Sequence, residues 1–89
     1  PLFFDFPDDE MAYEVEDQYM FGPDILVAPV LWEGMSTRRV YLPKGASWRD
    51  PYTGKEQVGG GWVECPAPLE VIPLFLREGA RIPIKRKEG

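Results

Sequence analysis

Histidine is absent from this 89-residue chain, and cysteine occurs once, at Cys65. Without histidine there is no His-based triad, no imidazole zinc site and no imidazole general base. A single cysteine leaves no intrachain disulfide, which excludes a small disulfide-stapled secreted scaffold and favours the cytoplasm. No apolar run approaches 18 residues, so no segment reads as a membrane span, and no membrane partner is expected. Lys and Arg are missing from residues 1–37, which hold nine acids, whereas residues 38–89 hold the other six acids and all ten basic residues. So acidic a front half argues against a nucleic-acid partner, because phosphate binding needs clustered cations. The short basic run Lys85, Arg86 and Lys87 reads as a solvated terminus.

What is present is a small chain with material for a core. The hydrophobic fraction is 44% and the aromatic fraction 13%, so wholesale disorder is not expected. Nine glycines and ten prolines break up long helices and point to short strands joined by turns. At this length the chain is one small domain or a piece of something larger. It opens at Pro1-Leu-Phe-Phe inside an apolar run, which reads as an excised fragment.

Leu2, Phe3, Phe4 and Phe6 are dense enough to read as a strand buried on both faces, ending at Pro7-Asp8-Asp9. One or two helical turns are expected between Glu10 and Phe21, where Tyr13 with Asp17 and Val15 with Tyr19 stand at i,i+4, stopped by Gly22-Pro23. The remainder reads as β. Ile25 to Leu31 is a strand interrupted by Pro29, and Thr37 to Leu42 puts Val40 and Leu42 on one face. Trp48-Arg49-Asp50 enters a tight turn in which Gly54 takes positive φ. Gly59-Gly60-Gly61 is a flexible turn before a strand at Trp62 to Cys65. Extended pieces at Leu69 to Ile72, Leu74 to Leu76 and Ala80 to Ile84 complete the pattern. Turn signals every 8 to 12 residues indicate a sandwich or barrel. The expected core is Val27, Val40, Leu42, Trp48, Ile72, Leu74 and Leu76.

Several stretches together resemble glycoside hydrolase family 31. Pro1-Leu-Phe-Phe-Asp-Phe-Pro-Asp-Asp is similar to that family's eighth barrel strand and the loop after it. Asp17-Gln-Tyr-Met-Phe-Gly22, with Ile25-Leu-Val-Ala-Pro-Val30, resembles the exit from the barrel into the proximal C-terminal β-sandwich. Val40-Tyr-Leu-Pro-Lys-Gly45, Trp48-Arg-Asp, Thr53-Gly54, Gly60-Gly61 and Pro68-Leu-Glu-Val-Ile-Pro-Leu-Phe-Leu-Arg-Glu-Gly-Ala80 resemble the sandwich itself. The Gly-Gly-Gly-Trp and Ala-Arg-Ile-Pro wording is most similar to α-xylosidases, then to α-glucosidases. The resemblance implies a mostly β fold: a partial antiparallel β-sandwich over residues 25–89, preceded over residues 1–24 by the last βα element of a (β/α)8 barrel. It also implies a retaining α-glycosidase acting on terminal α-linked xylosyl or glucosyl residues, with two carboxylates about 5–5.5 Å apart. Both belong to earlier barrel strands. No residue here matches either motif, so no catalytic, cofactor-binding or metal-binding residue is assigned and no cofactor is expected. The expected partners are the catalytic barrel of the parent enzyme and, through it, a carbohydrate substrate. Isolated, the chain is expected to self-associate or to fold its apolar start against its own sandwich.

Candidate chemistry within the chain is sparse. Asp8 and Asp9 are a tempting carboxylate pair, but neighbours in sequence cannot flank one glycosidic bond, so turn formation and helix capping come first. Cys65 has no activating base and reads as a small buried hydrophobe. Ser36 and Ser47 lie in turns without a base. The three glycines are followed by no Lys, Ser or Thr of a phosphate loop. Trp32, Trp48, Trp62, Tyr41 and Tyr52 could stack on sugar rings, the mark of a stand-alone carbohydrate-binding module, yet packing is the stronger expectation for such large side chains. A plain interaction domain is the third reading.

Overall fold

The computed structural model describes residues 1–68 and 72–78. One helical turn, α1 (Leu2–Asp5), leads through Pro7 and Asp8 into a 3-10 turn over Glu10–Tyr13. Seven strands follow among the described residues: β1 (Tyr19–Phe21), β2 (Ile25–Val27), β3 (Thr37–Leu42), β4 (Ser47–Arg49), β5 (Glu56–Val58), β6 (Gly61–Pro66) and β7 (Leu74–Arg77). They form a five-stranded sheet in the order β1-β2-β7-β4-β5 and a two-stranded sheet of β3 and β6, with every pairing antiparallel. The expectation of a mostly β, antiparallel architecture is met.

The core lies between the two sheets. Leu26 stands opposite both Met20 and Phe75 in register, and Trp48 stands opposite Arg77, so the 3.4 Å-per-residue alternation of strands puts Leu26, Phe75 and Trp48 on one face. Val40 and Leu42 of β3 meet them, and all five are essentially inaccessible to water. Gly54 has φ +78° in the loop between β4 and β5, as expected for this turn. There Gly54 N donates to Asp50 O at 2.7 Å, and the Asp50 carboxylate accepts from Tyr52 N at 2.8 Å.

Four expectations are corrected. Residues 2–5 are helical rather than a strand: Leu2 and Phe6 stand four apart and are both buried, while Phe4 is exposed. That is the spacing of one helical face. The helix expected between Glu10 and Phe21 shrinks to a single 3-10 turn, and Tyr19–Phe21 hairpins with β2 through Gly22 at φ +71°. Glu10, Glu14 and Asp17 would stack at i,i+4 and i,i+3 on a continuous helix, and that like-charge row disfavours it. Val27 and Leu74 pair on the outer face and are half-buried, one residue out of phase with the core positions Leu26 and Phe75. Ile72 is exposed, ahead of β7 rather than in it. Leu76 is buried but outside the central cluster. The expected strand at Ala80 to Ile84, the tail run and Leu69 to Val71 lie outside the described residues.

The segment before residue 24 does not stand apart. Leu2, Phe6, Ala12 and Val15 belong to the same buried cluster as Trp48 and Val40, so the acidic front and the sandwich share one core.

Candidate functional site: the junction around Asp9

Proline at position 7 and aspartates at 8 and 9 turn the chain, and the two aspartates then part company. Asp8 is exposed and Asp9 is buried. Asp9 caps the 3-10 turn, its Oδ1 accepting from Met11 N at 3.1 Å. Its Oδ2 accepts from the Tyr41 hydroxyl at 2.7 Å and from Lys44 N at 2.9 Å. Burial pushes the Asp9 carboxyl up, but the bonds from Tyr41, Lys44 N and Met11 N, with the Lys44 charge, outweigh it and hold Asp9 below its ordinary value. Tyr41 is pushed up to about 12, by burial first and then by donating to the Asp9 carboxylate. The capping role expected of this turn is met by Asp9. Among the described residues Asp9 is the only buried carboxylate.

Two further contacts fasten the same segment. Gln18 is buried and lies along the edge of β3, its Nε2 donating to Tyr41 O at 2.8 Å and its Oε1 accepting from Tyr41 N at 2.7 Å. Arg38, also buried, donates to Pro29 O at 2.9 Å, Asp17 O at 2.7 Å and Arg39 O, and pairs with the Asp17 carboxylate at 3.1 Å. A buried charge so fully bonded avoids the desolvation cost of an unpaired one. Sequence reasoning missed both residues. For Arg38 a signal existed, since it shares the inward phase of Val40 and Leu42.

Below the turn, the Phe6 ring lies 5.8 Å from that of Trp48, and the Arg77 guanidinium packs over both, at 5.0 and 5.6 Å. Trp48 Nε1 donates to Pro43 O at 2.9 Å. The Pro43–Ala46 loop is held by Gly59, whose N donates to Ala46 O at 2.9 Å, and a Cβ at Gly59 would collide with Pro43 O. Gly59 is therefore a tightly packed position in this turn, whereas a Cβ at Gly61 would meet open space.

The other candidates fall outside this junction. Cys65 is buried; burial and the Asp50 charge push its thiol up, which suits packing and not nucleophilic attack. Trp48 and Tyr41 pack inside, as expected, but Trp32, Tyr52 and Trp62 are exposed. Trp62 leans on Tyr41 and carries Arg39 over its ring at 4.9 Å. Among the described residues no group of three acids or cysteines could hold a metal ion.

Comparison with known proteins gives one consistent answer. The family model for the glycosyl hydrolase family 31 C-terminal domain matches residues 1–82. The α-xylosidase of Saccharolobus solfataricus is 42% identical over 87 residues, which is 98% of this chain and 12% of that protein. α-Glucosidase 2 of Bacillus thermoamyloliquefaciens is 39% identical over 92% of this chain and 10% of that protein. Among solved structures, a family 31 α-xylosidase from a soil metagenome, complexed with xylose, superposes with a TM-score of 0.86 at 62% identity. That match covers 90% of this chain and 12% of the other. The chain thus spans about a tenth of the length of these relatives.

Proposed function

Because the chain belongs to glycosyl hydrolase family 31, as its C-terminal domain, we propose that it is a non-catalytic C-terminal portion of a retaining α-glycosidase and braces that enzyme's barrel. The carrying observation is the Asp9 junction. It fastens residues 1–24, read as the end of the barrel, onto residues 25–89 through Tyr41, Lys44 and Trp48. Active-site geometry survives only on rigid supports, and a buried charge with three hydrogen bonds is such a support. No residue of this chain serves as nucleophile or general acid. The parent's carboxylate pair sits on barrel strands that this chain does not contain, and the sugar it cleaves is a terminal α-linked xylosyl residue in preference to a glucosyl one. The α-xylosidase identities of 42% and 62%, against 39% for the α-glucosidase, support that order.

The test is an assay on aryl α-xylosides and aryl α-glucosides. A family-length enzyme containing these residues is expected to hydrolyse the xyloside faster, and the 89-residue chain alone to hydrolyse neither. Turnover by the chain alone that disappears in Asp8→Asn would overturn the reading.

A further inference from the structure

A cavity of about 410 Å³ opens beside the acidic turn, within the roughly 300–1,000 Å³ range of small-molecule sites. Its lining includes Asp5, Phe6, Asp8, Asp9, Lys44 and Arg77. Of its five charged groups only the Asp9 carboxylate takes hydrogen bonds from described residues, from Met11 N, the Tyr41 hydroxyl and Lys44 N. The Asp5 and Asp8 carboxylates, the Lys44 ammonium and the Arg77 guanidinium make no ion pair or side-chain hydrogen bond with one another or with any other described residue. Arg77 is instead held by the faces of Phe6 and Trp48, and its Nε is shut away from water with no acceptor. A wall that keeps both signs apart, around a cavity and with an aromatic ring among its lining, offers donors and acceptors together.

We propose that this cavity binds a neutral pyranoside. The chemistry of its wall selects that class. Three carboxylates repel an anionic ligand, two cations repel a cationic one, and the acids are too few for a metal ion. A sugar ring meets both sets: vicinal hydroxyls donate to the Asp5 and Asp8 carboxylates and accept from Lys44 and Arg77. These are charge-assisted bonds, stronger than neutral ones. The proposal rests on the family 31 reading only for the choice of sugar.

The experiment is a nitrogen–proton correlation titration of the 89-residue chain with methyl α-xyloside, with glycerol and inorganic phosphate as comparison probes. The Trp48 indole N–H, bonded to Pro43 O, reports the fold in the same spectra. Saturable shifts of the Arg77 Nε–H and of the Lys44 and Gly45 amides with the xyloside are expected, weakened about tenfold by Asp5→Asn and likewise by Asp8→Asn, each the loss of about one charge-assisted bond. Trp62→Ala leaves the titration unchanged. No saturable shift, an equal response to glycerol, or a response to phosphate alone would each overturn the proposal. The family 31 reading is judged separately, by hydrolysis in the longer enzyme, so a flat titration removes the pocket site and leaves that reading standing.

Discussion

The Gln18 side chain and the Tyr41 main chain, 23 residues apart, exchange two hydrogen bonds of 2.8 and 2.7 Å, so a glutamine amide occupies the place of a neighbouring strand at the edge of β3. Neither partner is open to water, so water cannot replace what the amide supplies. Gln18→Leu leaves a buried N–H and C=O unmatched and is expected to cost about 2–4 kcal/mol, read from urea unfolding. A loss under about 0.5 kcal/mol would mean that the edge is satisfied some other way.

The bond from Tyr41 to Asp9 makes stability depend on pH at both extremes. Asp9 has a depressed folded pKa, so its contribution is present above the ordinary carboxylate value of 3.8 and is lost as pH falls below it. Tyr41 has a raised one, so its contribution is intact below pH 10 and is lost as pH climbs towards about 12. Melting temperatures should therefore fall on both limbs in the native chain. Asp9→Asn flattens the acid limb and Tyr41→Phe the alkaline one. Unchanged limbs in these variants would place the titrating groups elsewhere.

Gly59 and Gly61 separate close packing from plain loop freedom. Gly59→Ala drives a methyl into the Pro43 carbonyl and within 2.8 Å of Ala46 O, both backbone atoms that hold the loop bearing Lys44. The expected cost is about 2 kcal/mol or more, in the range of overpacking. At Gly61 a Cβ meets nothing within 4 Å, and Gly61→Ala is expected to change stability by less than about 1 kcal/mol. Equal costs in chemical denaturation would contradict the packed turn.

The strand phase is tested by a pair of truncations. Leu26 is fully buried between the sheets and Leu74 is half-buried on the outer face. Leu26→Ala should cost about 2–5 kcal/mol and Leu74→Ala clearly less. The reverse order would restore the phase expected from the residue pattern alone.

How far the sequence could be read follows from which interactions are local. The six-residue strand β3 was long enough to set its own phase, and Val40 and Leu42 fell inside as expected. The Asp50 to Gly54 turn was legible because its chemistry is contained in five neighbouring residues. Strands of three or four residues, such as β2 and β7, carry too few alternations to fix a phase: Leu26 and Phe75 rather than Val27 and Leu74 turn fully inside, while Leu76 is buried as expected. The density of phenylalanine at the start suggested a strand, although Leu2 and Phe6 already stood at helical spacing. Gln18 and Arg38 answer to partners 9 to 23 residues away, through main-chain oxygens that have no signature in the sequence. In the junction, the capping role of Asp9 could be foreseen, but its bond to Tyr41 across 32 residues could not.

The central claim is that residues 1–24 and the sandwich open and close as one unit, and the backbone amide of Lys44 reports on it directly. That N–H donates to Asp9 Oδ2 across 35 residues, so it is exposed to exchange when the acidic segment lifts away. In native-state hydrogen exchange the Lys44 amide is predicted to share the opening free energy of the β2–β7 ladder amides, at the level of global unfolding. A Lys44 amide that exchanges rapidly while that ladder stays protected would show the acidic segment detaching by itself, and would contradict the account.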